Sequence, residues 1–123
     1  MFTLGGITFE YDEEKNRRNI EKHGIPFQIA ARVFFDYHRI ELYDAEHSDD
    51  EDRYDTIGNV SFGSSNLIAD IQNAGKPMNQ VLFVVYTERY FLNHGGKKTE
   101  VTRLISARLA TNFERGLYYG KRT

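Results

Sequence analysis

At 123 residues and 14.3 kDa the chain fits one compact domain over residues 1–123, with little room for a second. Its 40% hydrophobic and 14% aromatic content can build a core and excludes global disorder, while the lack of cysteine excludes a disulfide framework, a thiol nucleophile and a Cys-ligated zinc. The net charge of -2 hides a strong asymmetry: residues 41–55 hold 8 acidic and 1 basic side chains, and residues 89–123 hold 2 acidic and 8 basic.

Such a basic segment can form a local anion site, because phosphate contacts depend on nearby charge and not on the molecular total. A solvated face with a basic tail explains the same numbers. No basic n-region precedes an apolar stretch. The longest strongly apolar run, Val81–Tyr86, is far below the ~20 residues of a bilayer span. Neither secretion nor membrane insertion is expected, and the cytoplasm is the default compartment.

Ile7–Tyr11 alternates as a short strand, and Asp12 then offers an N-cap to a helix that runs from about Glu13 to His23 and stops at Gly24. Pro26 precedes Phe27, Ala30, Ala31 and Phe34 at helical spacing, which predicts a second, shorter helix. Arg39–Tyr43 alternates as a strand, and Asp44–Asp52 is too acidic and turn-like to pack, so an exposed loop is expected there. Asp55–Phe62 reads as a strand and Val81–Arg89 as a central one, with residues 63–80 a long connection between them. Asn93–Gly96 turns the chain into a last strand near Thr99–Ala107, and Thr111, with Glu114 at the capping-box position, opens a C-terminal helix through Tyr118. The fold class is therefore α+β, an antiparallel sheet of about four to five strands packed with two N-terminal helices and one C-terminal helix.

Several motifs fail on chemistry. Gly96-Lys97-Lys98-Thr99 lacks the first glycine and the Ser or Thr of a phosphate-binding loop. Asp50, Asp52 and Asp55 miss the calcium-loop register at Tyr54, and His38, Glu41, Asp44 and His47 define no metal geometry. No metal or other cofactor is expected. Four features remain. Lys22 and His23 end a helix, where the dipole favours positive charge and raises the proton affinity of an imidazole, although ordinary capping accounts for them equally well. Glu51 and Arg53, two apart in an extended segment, point to one side and can share a ligand or pair with each other. Arg103 and Arg108 flank Leu104-Ile105-Ser106-Ala107 and suit phosphate, but strand periodicity puts them on opposite faces unless the strand ends or bulges before Arg108. Arg89 closes the central strand on the same face as Thr87, where a surface salt bridge is the plain alternative.

Taken together, Phe9-Glu10-Tyr11-Asp12-Glu13-Glu14-Lys15-Asn16, Lys22-His23-Gly24-Ile25-Pro26-Phe27, Ala30-Ala31-Arg32-Val33-Phe34, Glu51-x-Arg53, Val84-Val85-Tyr86-Thr87-Glu88-Arg89 and Arg103-Leu104-Ile105-Ser106-Ala107-Arg108-x-Ala110-Thr111 resemble the BrnT toxin family. The resemblance implies a RelE-like fold and an endoribonuclease toxin of a bacterial type II toxin–antitoxin system. It also implies neutralisation by a ribbon-helix-helix antitoxin of the BrnA kind, with DNA reached only through the antitoxin complex. RNA cleavage without metal needs a base for the ribose 2′-hydroxyl, cations for the phosphorane and a proton donor for the 5′-oxygen. By this resemblance His23, Glu51, Arg53, Arg89 and Arg108 form the catalytic set, with base and acid not assigned individually, and Lys22, Arg103 and Ser106 contact RNA. Tyr11 stands where the family usually has tryptophan, Asp50 where it has glycine, and Leu109 and Phe113 where its last helix is usually basic. Residues 61–80 and 90–98 are longer than the family's hairpins. The alternative is a non-catalytic RNA- or protein-binding module that retains the toxin fold.

Overall fold

Two successive glycines with positive φ, Gly5 at 55° and Gly6 at 85°, turn strand β1 (Phe2–Leu4) back onto β2 (Ile7–Glu10). Such a turn suits glycine at both positions, and a Cβ on Gly5 would lie 2.5 Å from Cε1 of Phe35. In the computed structural model, which describes residues 1–61 and 79–120, helix α1 (Glu13–His23) follows. Its ends are locally encoded: the Asp12 side chain accepts the Lys15 amide at 3.0 Å, and Gly24 takes the left-handed conformation and donates to Ile20 O. Along its exposed side Arg17 pairs with Glu14 and Glu21.

The second helix differs from the sequence expectation. One α-helical turn, α2 (Phe27–Ala30), passes directly into a 3-10 segment over Ala31–Phe35. Tightening to about three residues per turn changes which side chains face inward. Ile29 and Val33 are consequently buried together with Phe27, Ala30, Ala31 and Phe34. Strand β3 (Ile40–Tyr43), a short 3-10 turn (Ala45–His47), β4 (Tyr54–Ser61), β5 (Asn79–Leu92), β6 (Lys98–Leu109) and helix α3 (Asn112–Gly120) complete the order. The connection expected at 63–80 falls outside the described residues, except for Asn79 and Gln80, which already belong to β5.

The sheet has six strands in the order β1-β2-β6-β5-β4-β3 and is mixed. The expected antiparallel sheet of four to five strands needs correction in two respects. The β1–β2 hairpin adds a strand at one edge, and β2 runs parallel to β6, with Phe9 opposite Thr102 and Glu10 opposite Arg103. Connectivity permits the parallel pairing, since the long path through α1, α2 and β3–β5 lies between β2 and β6. Beyond Arg103 this edge of β6 has no strand partner among the described residues. There buried Asn19 of α1 accepts the Ala107 amide at 3.1 Å and donates to Ile25 O at 2.8 Å. A polar residue thus fastens a helix that buries none of its apolar side chains.

One sheet face carries the main core, in which Phe9, Phe27, Phe34, Val84, Tyr86, Leu104 and Ala107 meet. Gly58 lets Val33 approach this face so closely that a Cβ would lie 2.3 Å from Val33 Cγ2. The opposite face is covered at one end by α3, whose Tyr118 packs with Ile57 and Val81 and donates to Asp36. Thr111 and Glu114 form the expected capping box, with Thr111 N to Glu114 Oε1 at 2.9 Å and Glu114 N to Thr111 Oγ1 at 3.2 Å. No helix among the described residues is long and apolar enough to cross a membrane.

Candidate active site

The part of the second sheet face that α3 leaves uncovered is where the charged side chains collect. Its geometry depends on one irregularity in β6. Val85 pairs with Ser106 and the next residue, Tyr86, pairs with Leu104, so Ile105 is an extra residue in β6. Leu104 and Ala107, three apart, therefore both enter the main core. Arg103 and Arg108, five apart, both fall on the opposite face, as strand periodicity allows only with a bulge between them.

A cleft of about 370 Å³ opens on this face, bordered by Asp44, His47, Arg53, Asp55, Ser106 and Arg108. Arg108 is held by Glu114, with Nη1 to Oε1 at 2.7 Å and Nη2 to Oε2 at 2.9 Å, and lies 4.2 Å above the Phe83 ring centroid. Arg53 forms no ion pair among the described residues. His47 Nδ1 lies 3.0 and 3.1 Å from the two Asp44 oxygens, and this contact raises its proton affinity above that of a free imidazole. Burial favours the neutral Asp44 carboxyl, but the His47 contact outweighs it and keeps Asp44 below the usual range. Asp55 goes the other way. Burial first, and then the facing Asp44 carboxylate, push it up to about 6, and its Oδ1 is buried with no hydrogen-bond partner.

Beside this cleft a smaller cavity of about 230 Å³ is bordered by His47, Asp49, Asp50, Glu51 and Arg53. Glu51 and Arg53 thus share one opening, as their spacing suggested, but the ion-pair partner of Glu51 is Arg89, at 3.3 Å. Arg89 also lies 3.8 Å from Glu10, which binds Arg103 at 3.3 Å. The loop carrying Glu51 is pinned from two sides: Thr87 Oγ1 donates to Asp52 O at 2.6 Å, and Ser48 Oγ accepts the Arg53 amide at 2.9 Å. The loop over Asp44–Asp52 is mostly exposed, as expected, and these bonds tie it down as one wall of the cleft.

Lys22 and His23 end α1 and border neither cavity. The dipole argument for His23 also needs correction. Burial, then Lys22 and Arg108, lower its proton affinity, so desolvation and like charge outweigh the helix terminus. Conversely, sequence reasoning missed Asp44, His47 and Asp55 as site residues. One signal was present, because strand alternation sets Asp55 on the same face as buried Ile57.

The family model described as the BrnT ribonuclease toxin of type II toxin–antitoxin systems matches residues 11–69. Over this span, just under half of the chain, the sequence is similar to the BrnT family. The family so described is one of ribonuclease toxins, whose substrate is RNA, and a type II system pairs its toxin with an antitoxin. The BrnT span includes Lys22, His23, Asp44, His47, Glu51, Arg53 and Asp55, whereas Arg89, Arg103, Ser106 and Arg108 come from strands beyond it. No curated protein matches the chain.

Proposed function

We propose that this protein is an endoribonuclease toxin of the BrnT kind that cleaves RNA without metal through attack of the ribose 2′-hydroxyl. The observation that carries the reading is the convergence of Arg53, Ser106 and Arg108 on one cleft, adjoining a cavity where Glu51 faces Arg53. Arginines there can hold the phosphate and stabilise charge on the phosphorane, while Glu51 and a histidine exchange protons. Arg89 and Arg103 extend the arginine set along the same face, and Lys22 and His23, at the end of α1, are further candidates for RNA contact. Induction of the protein alone is expected to arrest growth and degrade RNA, and the purified protein is expected to cleave RNA equally well in EDTA. RNA left intact by an excess of folded protein would refute the enzyme reading.

The proposed partner is a BrnA-like ribbon-helix-helix antitoxin, present with the toxin in the cytoplasm, that covers this face and competes with RNA. Titrating it into the cleavage assay while complex formation is followed by calorimetry tests occlusion, which tight binding without loss of cleavage would exclude. One observation favours a second reading, a non-catalytic RNA- or protein-binding module. Arg89, Arg103 and Arg108 are each already paired with a carboxylate. Antitoxin binding with no cleavage at any ratio would support it.

A further inference from the structure

The ribonuclease reading leaves open which histidine delivers a proton, and the geometry separates the two candidates. His23 borders neither cavity and is driven toward the neutral form. His47 borders both, together with Arg53, and shares the smaller one with Glu51. Its Nδ1 is engaged by both oxygens of Asp44, which leaves Nε2 as the nitrogen for a substrate. Asp44 is itself braced, since its amide donates to Arg53 O at 2.9 Å and its carbonyl accepts from Ser48 Oγ.

Resting on that reading, we propose that His47 is the general acid of the cleft, that Glu51 is the base, and that Asp44 is the positioning residue of His47. Glu51 accepts the proton of the 2′-hydroxyl as O2′ forms its bond to phosphorus. The bond from phosphorus to O5′ breaks, and His47 Nε2–H passes its proton to the departing O5′. The products are a 2′,3′-cyclic phosphate and a 5′-hydroxyl, with one proton taken up and one released. The raised proton affinity of His47 supports the donor role, because the protonated imidazole then persists closer to neutral pH.

The test compares ordinary single-stranded RNA with the same RNA carrying sulfur in place of the scissile 5′-bridging oxygen. A thiolate leaves without protonation, so only the acid becomes dispensable. His47→Ala is expected to lose about 100-fold or more in cleavage of ordinary RNA, to bind it within about twofold of wild type, and to recover near wild-type cleavage on the sulfur substrate. Glu51→Gln is expected to stay impaired on both. Asp44→Asn is expected to lower kcat about tenfold with KM unchanged, a split that a merely structural role would not give. His47→Gln repeats the comparison with a side chain that can still hydrogen-bond Asp44. Wild-type cleavage by both His47 variants, or an equal loss on both substrates, overturns the assignment and leaves the ribonuclease reading standing. Failure of the wild-type chain to cleave either substrate overturns both.

Discussion

The same strands present two unlike faces. Against α1, α2 and the 3-10 segment, β4, β5 and β6 supply apolar or aromatic side chains, with Val84, Leu104 and Ala107 almost fully buried. On the other face the same strands supply Asp55 and Arg108, which line the cleft, and Arg89 and Arg103, which are ion-paired beyond it. A face built only for stability has no need of them, because replacing paired charges by well-packed apolar groups is often neutral or stabilising. The contrast marks the first face as the part that holds the fold, and the second is the face to which the proposed function assigns RNA.

Substitutions can break this division. The largest expected effect is on the core face: Phe9→Ala should cost about 3–5 kcal/mol in urea unfolding, since Phe9 is fully buried against Phe34 and Phe2. A loss below about 1 kcal/mol would deny that this face carries the stability. On the cleft face the sign reverses. The Asp55 carboxyl is raised from 3.8 to about 6, so its contribution is fully present below the unfolded pKa and is lost as pH rises through 6. Asp55→Asn should therefore melt higher than wild type at pH 7, by roughly 5 °C, with the gain shrinking toward pH 4. Equal differences at both pH values would show that the carboxyl is not strained by its site.

Smaller effects sharpen the contrast between paired and unpaired arginines. Glu114→Gln keeps a capping-box side chain for α3 but frees Arg108, and it should tighten binding to single-stranded RNA about fivefold, or ~1 kcal/mol, at low salt. Arg53→Ala should leave stability within about 0.5 kcal/mol and reduce the slope of log affinity against log salt by about 0.7, the share of one phosphate contact on a single strand. An unchanged slope would assign Arg53 to the architecture of the loop.

Much of the local structure was legible before any tertiary contact was known. Asp12 and Gly24 bound α1 because a cap needs only its own turn of backbone, and Thr111 with Glu114 start α3 for the same reason. The Asn93–Gly96 turn was equally local: the Asn93 side chain accepts the amides of Gly95 and Lys97. The β1–β2 hairpin was missed even though Gly5-Gly6 suits its turn, because the three residues of β1 are too few to show alternation.

The site itself was only half legible. Arg53 and Arg108 were singled out from residue type and spacing and Ser106 through the family resemblance, whereas Asp44, His47 and Asp55 lay in or beside a segment whose acidity argued for solvent. By itself the sequence determined the element ends, the apolar set of the core and the supply of arginines, all properties that a residue shares with neighbours a few positions away. Tertiary structure decided the parallel pairing of β2 with β6 and the contact of Glu10 with Arg103, 93 residues apart. It also decided the insertion of Ile105 that brings two arginines to one face. Each depends on which distant backbone lies alongside, and one residue of register reverses every side chain beyond it.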